Sequence, residues 1–139
     1  MKIHPLAFVV LATSVVAALG PGRLKAQALD PGTLCSSRIS DMLDALGKDD
    51  YVTAEVDFDA KLRASLPPEK LEQEWKSLTP KYGKITARGE THIAADKGYI
   101  AATVPLVFEK GTLAAQVACG DKGAVVGFHV VPITPKAQF

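Results

Sequence analysis

The sequence has 139 residues, 47% of them hydrophobic and 22% charged, which suits one domain with a single apolar core. Its formal net charge is +1, and it contains no block of Lys or Arg residues. It therefore lacks the basic surface that nucleic acids and anionic membranes select, and neither is expected as a partner.

The first 28 residues have the features of an export signal. Lys2 gives a weakly basic start, an apolar run extends from Leu6 to Leu19, and Ala26-Gln27-Ala28 fits a small-x-small cleavage site. The run is shorter than the roughly 20 residues of a membrane span. We therefore predict a signal peptide over residues 1–28 and a periplasmic or secreted protein. An N-terminal anchor that is not cleaved is the alternative.

Two cysteines remain in the predicted mature chain, Cys35 and Cys119. In an exported protein such a pair predicts a disulfide, although two buried free thiols are the alternative. Neither cysteine has the C-x-x-C spacing of a redox centre or a zinc site.

Helical periodicity dominates the first half of the mature chain. Asp30 is the predicted N-cap of a first helix that ends at Gly47. Asp49 or Asp50 and then Asp59 are predicted to cap two short helices.

A further helix is predicted from Pro68 to about Leu78, followed by a turn that Gly83 closes. Its apolar residues recur at i, i+4, i+7 and i+11, which places them on one stripe that needs a partner surface. These residues are Leu71, Trp75, Leu78 and Tyr82.

From Ile85 onward the hydrophobic period changes to two, which predicts strands. Short turns separate strands at 85–94, 99–109, 112–119 and 124–132, a pattern typical of an antiparallel meander. Pro105 has no N–H to donate, so it predicts an edge position or a bulge. The strands supply further predicted core residues: Val104, Phe108, Val117 and Phe128.

Helices followed by strands predict an α+β fold, with N-terminal helices packed on a curved antiparallel sheet of about four strands. One domain is predicted over residues 29–132, and a frayed tail over residues 133–139.

Three motifs resemble the bacterial domain of unknown function 3887. They are Leu66-Pro67-Pro68-Glu69-Lys70-Leu71-Glu72-Gln73-x-Trp75-x-x-Leu78 with Tyr82-Gly83, Val104-Pro105-Leu106-x-Phe108-Glu109-Lys110-Gly111-Thr112-Leu113, and Gly123-x-Val125-x-Gly127-Phe128 with Pro132. The resemblance implies an exported domain of the nuclear-transport-factor-2-like or cystatin-like kind, and it supplies no catalytic residues. Members of this family often carry the domain ahead of an α/β-hydrolase, but this sequence has no Gly-x-Ser-x-Gly elbow.

Four residues are candidates for ligand binding. Arg88, Glu90 and His92 alternate along the first predicted strand, so they share one face as a polar lining or an acid–base pair. The alternative is a strand side that faces water. His129 lies among apolar residues and is either a titrating group in a pocket or a residue at the core edge.

No metal site or cofactor site is predicted. Asp57 and Asp59 are interpreted as caps and solvated residues, because no third ligand follows at the spacing of a calcium loop. No nucleophile–base pair or glycine-rich phosphate loop can be recognised.

The leading hypothesis is an exported, non-enzymatic module that binds a small apolar ligand or a protein partner. A homodimer through the outer sheet face is expected by analogy with this kind of fold. The alternatives are a small isomerase, cyclase or hydrolase that uses Glu90, His92 or His129 as acid or base, and an accessory domain of a separately encoded α/β-hydrolase.

Overall fold

The computed structural model describes residues 29–133, and the predicted signal peptide and everything after Ile133 lie outside the described residues. Within residues 29–133 no helix is both long enough and apolar enough to span a membrane. The helices are α1 (Pro31–Gly47), α2 (Tyr51–Ala54), α3 (Ala60–Ser65), α4 (Pro68–Lys76) and α5 (Leu78–Tyr82). The strands are β1 (Ile85–Arg88), β2 (His92–Asp96), β3 (Tyr99–Phe108), β4 (Gly111–Cys119) and β5 (Val125–Pro132).

Aspartate caps start the first three helices. The carboxylates of Asp30, Asp50 and Asp59 accept hydrogen bonds from the backbone N–H three residues further on, at 3.2, 3.1 and 2.7 Å. Each bond satisfies one of the free N–H groups of a helix N-terminus, which is why these positions determine where the helices begin. Gly83 ends α5 with a φ of 80°, a conformation that suits glycine.

The strands form one open, curved antiparallel sheet in the order β1-β3-β4-β5, with β2 also paired to β3. The fold is α+β, as predicted, but the sheet has five strands instead of about four. The prediction of one strand over residues 85–94 is wrong, because β1 and β2 pair with different halves of β3.

The break between β1 and β2 lies beside a proline. Arg88 is opposite Leu106 and His92 is opposite Thr103, so the pairing shifts by one residue across the interruption. Gly89 donates its N–H to the Pro105 carbonyl at 2.8 Å. Pro105 has no N–H to donate to the β1–β2 segment, so the hydrogen-bond ladder between that segment and β3 cannot continue past Pro105. The structure thus places Pro105 on the central strand β3, next to the break between β1 and β2.

One face of the sheet carries the core. Buried residues alternate along β3 and match buried residues on β4, namely Ala102, Val104, Leu106 and Phe108 with Leu113, Ala115 and Val117. Helix α1 packs over the centre of this face, where Ile39 and Leu46 are almost fully buried.

The helix stripe predicted to need a partner surface lies at the margin of the core. Leu71 is fully buried, whereas Trp75, Leu78 and Tyr82 are half-buried against the core cluster, as is Phe128 on β5. Helix α4 contacts α2 and α5, whereas α1 packs on β3 and β4 of the sheet. A nine-residue helix cannot cover the sheet that a seventeen-residue helix already occupies.

The disulfide joins Cys35 near the start of α1 to Cys119 at the end of β4, as predicted. The Cα atoms are 5.9 Å apart, although 84 residues separate the two cysteines in sequence. Both side chains are buried, so the bridge ties α1 to the sheet inside the core.

The segment between α2 and α3 attaches to the free edge of β5. Val125 donates its N–H to the carbonyl of Asp57 at 2.8 Å, and Asp59 donates its N–H to the carbonyl of Val125 at 2.9 Å. The Asp57 carboxylate forms an ion pair with Arg38 at 2.6 Å, so it is a structural partner of α1. The parallel bridge between Phe58 and Val125 covers one end of this edge strand.

Candidate functional site

The strand break separates the residues predicted to form one polar row. Arg88 is opposite Leu106, so it points to the helix side, where its guanidinium pairs with Asp44 at 2.5 Å. Glu90 lies in the interruption and is exposed. His92 is opposite Thr103, which alternates with the buried residues of β3 and so points away from the helices. The prediction that Arg88, Glu90 and His92 share a face is therefore wrong, because the register shifts between them.

His129 lies on the same side of the sheet as His92. The register runs His92–Thr103–Gln116–His129 across four paired strands, and both histidines are exposed. Three strand spacings of about 4.8 Å put the two imidazoles about 14 Å apart. The candidates predicted from sequence thus occupy two faces and do not form an acid–base pair.

A concavity of about 580 Å³ lies on the helix side, between α1, the α4–α5 segment and β1. We call it the α1–β1 cleft. Its apolar lining comprises Leu43, Leu46, Trp75, Ile85 and Leu106. Its charged lining comprises Asp44, Lys48, Asp49, Lys84 and Arg88.

The apolar wall of the cleft follows from where α1 ends. Leu43 and Leu46 are buried near the end of α1, and the helix stops at Gly47. Trp75 reaches the space beyond that end from α4 and is half-buried against the core. Ile85 is 41% exposed, so an isoleucine side chain at the cleft remains accessible to a ligand.

Asp49, one of the charged residues of the cleft, is held in place by a neighbour. Asp49 has a φ of 57°, a left-handed conformation that aspartate tolerates, and its carboxylate accepts a hydrogen bond from the Tyr51 hydroxyl at 2.9 Å. Burial, together with this bond to Asp49, raises the pKa of Tyr51 to about 12. The phenol therefore stays protonated and keeps Asp49 in place at neutral pH.

A second, smaller concavity of about 290 Å³ lies between α4 and β5. Trp75 lines both concavities, and His129 and Glu74 line only the smaller one. Its volume is about half that of the α1–β1 cleft.

Glu55 is the only charged side chain among the described residues that is buried, with 3% exposure. Its Oε1 has no hydrogen-bond partner within residues 29–133. Burial raises the pKa of this carboxyl, while the Arg63 guanidinium opposes the change. Glu55 does not line the α1–β1 cleft, so it bears on stability instead of the site.

Within residues 29–133 no group of three or more His, Cys, Asp or Glu side chains is placed to hold a metal ion. The cleft combines an apolar wall with charged groups of both signs. Sequence reasoning named Arg88 as a binding candidate and Trp75 as a core residue, and it did not single out Lys48, Lys84 or Ile85, which also line the cleft. Lys48 lies far in sequence from Lys84 and Ile85, and only the tertiary structure brings it beside them.

No curated protein and no solved structure matches this chain. A family model described as "Protein of unknown function (DUF3887)" matches residues 40–128, which is well over half of the chain and includes α1 from its middle, every strand but the end of β5, and the lining of the α1–β1 cleft. The chain therefore belongs to the DUF3887 family of proteins of unknown function.

Proposed function

We propose that this domain binds a small, largely apolar molecule with a polar end in the α1–β1 cleft. The observation that carries the proposal is the combination of a volume of about 580 Å³ with an apolar wall and charged groups of both signs. Ligand sites in proteins have volumes of roughly 300–1,000 Å³ and a lining of this mixed kind.

The fixed charges of the cleft leave two cations for the ligand. Arg88 pairs with Asp44, and Asp49 accepts from Tyr51, whereas Lys48 and Lys84 make no ion pair within residues 29–133. Their ammonium groups are free to bind an acceptor on the polar end of the ligand. The indole of Trp75 offers a flat apolar surface to the body of the ligand.

The single tryptophan provides a direct test. The probe is 8-anilinonaphthalene-1-sulfonate, which has an apolar aromatic body and one anionic group. Binding in the cleft brings it beside Trp75, so excitation of the indole should give sensitised emission from the probe. A bound probe that does not quench Trp75 would contradict the proposal.

Two isoleucines with nearly equal exposure supply a matched pair of variants. Ile85 lines the cleft at 41% exposure, and Ile93 on β2 lies outside it at 43%. A carboxylate at position 85 repels the anionic probe and removes apolar contact, so Ile85→Asp should weaken its binding about tenfold or more, whereas Ile93→Asp should not. Equal affinities for the two folded variants would overturn the assignment of the cleft.

Binding, not acid–base chemistry, is the better match to the geometry, because Glu90, His92 and His129 do not converge on the α1–β1 cleft. Accordingly, His92→Ala and His129→Ala should leave probe binding unchanged. A loss of binding in either variant would place the site on the other face of the sheet.

We further propose that the protein is exported. The proposal is supported by the apolar run and small-residue site in residues 1–28 and by a buried disulfide, which is typical of oxidising compartments. Expression in a bacterial host with an intact secretion pathway, followed by N-terminal sequencing of the periplasmic fraction, tests it. Cleavage near Ala28 is the expected result, and retention of the full-length chain in the cytoplasm would contradict it.

A further inference from the structure

One side of β5 has no neighbouring strand along most of its length. β5 is the last strand of the sheet within residues 29–133, and the segment between α2 and α3 pairs only with its first residue, Val125. Beyond Val125, β5 is bonded to β4 on one side, and its other side is open in the part of the chain that the structure describes. An open edge of this kind can accept a further strand.

The register with β4 identifies which backbone groups point to the open side. Ile133 donates its N–H to the Thr112 carbonyl at 3.2 Å, so these two residues form a hydrogen-bonded antiparallel pair. Such pairs alternate with non-hydrogen-bonded pairs, and Phe128, Val130 and Pro132 fall in the second kind, whose backbone groups point away from β4. A further strand could therefore use the carbonyls of all three residues and the N–H groups of the first two, since proline has none.

An apolar groove follows this open side, on the face of the sheet that carries the helices. It is the concavity of about 290 Å³ between α4 and β5, and we call it the α4–β5 groove. Phe128 and Val130 lie opposite buried residues of β4, so their side chains point to the helix side and form one wall. The other wall comes from α4 and the start of α5, and comprises Leu71, Trp75 and Leu78.

The two walls of the groove keep apolar surface in contact with water. Leu71 is buried, and the other apolar residues of the walls are only half-buried against the core, namely Trp75, Leu78, Phe128 and Val130. An apolar side chain placed between the walls would remove this surface from water, which is favourable. The groove therefore suits an occupant that brings apolar side chains next to the edge of a strand.

Glu74 gives the groove a negative charge. It is the only Asp, Glu, Lys or Arg among the residues that line the groove. Its side chain is exposed and makes no ion pair within residues 29–133, whereas Glu72 on the same helix pairs with Lys76. A Lys or Arg on the occupant would complement this carboxylate.

The spacing of the open backbone groups favours a peptide over a small molecule. These groups recur at every second residue of β5, about 6.8 Å apart, and an extended peptide repeats its donors and acceptors at the same interval. The segment between α2 and α3 already uses this edge, because Asp57 and Asp59 bond through their backbones to Val125. A partner segment would extend the same pairing along β5.

We propose that the α4–β5 groove binds an extended segment of a partner protein, which adds to β5 as a further strand. The segment carries apolar residues at alternate positions and a Lys or Arg beside them. Its backbone bonds to the open side of β5, its apolar side chains enter the groove, and its cation meets Glu74. Strand addition of this kind takes affinity from main-chain hydrogen bonds and specificity from the side-chain pockets.

A synthetic peptide tests the proposal. The probe is a fluorescein-labelled heptapeptide, Lys-Thr-Phe-Thr-Val-Thr-Lys, whose Phe, Val and two Lys side chains share one side of an extended chain. Because a Lys stands at each end, the peptide can pair in either direction. Fluorescence anisotropy with the exported, purified protein should give a dissociation constant of about 10–100 μM, since so short a strand buries little area. No binding up to about 1 mM protein, as would follow if residues 134–139 or a second copy covered the edge, would overturn the proposal.

Backbone methylation separates strand addition from apolar adsorption. One control peptide is N-methylated at Phe and Val, and the other at the Thr that follows each of them, so the side chains are unchanged. A strand paired along one edge uses only one of these two sets of N–H groups, because successive N–H groups point in opposite directions. One control should therefore bind about tenfold more weakly than the other. Equal affinities would show that the peptide backbone does not pair with β5, and the proposal would fail.

Charge reversal on the protein locates the bound peptide. Glu74→Lys places a cation at the groove and should weaken binding about fivefold, because both peptide lysines are then repelled. Glu90→Lys is the matched control, since it makes the same change in net charge at an exposed position between β1 and β2, outside the groove. It should leave the affinity within about twofold of wild type. Equal losses in the two variants would mean that the peptide responds to net charge alone, and the assignment of the groove would be wrong.

Discussion

Gly89 lies directly against the ring of Pro105, at the point where β1 ends and the pairing with β3 shifts by one residue. The Gly89 N–H bonds to the Pro105 carbonyl at 2.8 Å, and a Cβ at Gly89 would lie 3.1 Å from two atoms of the ring. This shift sends Arg88 to the helix side and His92 to the outer side. The contact between Gly89 and Pro105 therefore determines which side chains each face of the sheet carries.

Gly89→Ala should destabilise the protein, because the rigid Pro105 ring must move to admit the new methyl group. Overpacking of this kind costs about 1–2 kcal/mol in free energy of unfolding, which urea denaturation can measure. Gly47→Ala is the matched control, since a Cβ there meets nothing within 4 Å. Equal stability of the two variants would show that the ring adapts at no cost.

Removal of the disulfide should cost considerably more. The bridge between Cys35 and Cys119 closes a loop with a sequence separation of 84 residues, for which chain entropy suggests about 4 kcal/mol. The double variant Cys35→Ala, Cys119→Ala also loses two buried side chains, so we expect a protein that is largely unfolded or has a much lower urea midpoint. Wild-type protein under reducing conditions is the comparison. Wild-type stability in the double variant would contradict this role.

Glu55→Gln should stabilise the protein at pH 7. The carboxylate is buried with an unpaired oxygen, and the amide keeps its shape without its charge. We expect a gain of about 1 kcal/mol in the free energy of unfolding. Glu90→Gln, at an exposed position, should have little effect.

The advantage of Glu55→Gln should depend on pH in a defined direction. Burial raises the pKa of Glu55 in the folded protein above the ordinary value of 4.5, so the folded state holds the proton more tightly than the unfolded state. The cost of burying the charged Glu55 carboxylate is complete above the pKa that Glu55 has in the folded protein, and it disappears as the pH falls toward 4.5. The difference between variant and wild type should shrink over that window. A difference that grows on acidification would contradict a raised pKa.

Arg63→Ala should weaken the segment that joins α2 to α3. One Nη2 group of Arg63 donates to the carbonyls of Glu55, Val56 and Phe58 at 3.2, 3.3 and 3.2 Å. Loss of these bonds should lower the free energy of unfolding by about 1–2 kcal/mol. Lys61→Ala, an exposed change on the same helix, should stay within about 0.5 kcal/mol of wild type. Equal free energies of unfolding for Arg63→Ala and Lys61→Ala would mean that water replaces the hydrogen bonds of the guanidinium.

Local chemistry in the sequence was enough to predict most of the elements. The aspartate caps, the glycine after α5 and the period-two segments each depend on contacts within a few residues, so Asp30, Asp50, Asp59 and Gly83 act as predicted. The disulfide was also predictable, because the chain has only two cysteines and they can form only one intramolecular pair.

The candidate site depended on contacts that sequence patterns do not contain. Alternation placed Arg88 and His92 on one face, but alternation assumes an unbroken strand, and the break arises from Pro105 on a different strand. In the same way, Trp75 belongs to a strongly amphipathic helix, yet the longer α1 occupies the sheet centre and leaves Trp75 at the wall of a cleft.

The sequence by itself determined where most helices and strands begin, which cysteines pair and which family the chain belongs to, because those properties follow from short-range chemistry and motif composition. Only the tertiary structure decided which side chains share a face. That property depends on register between strands distant in sequence, and a shift of one residue at Gly89 exchanges the two faces of the sheet.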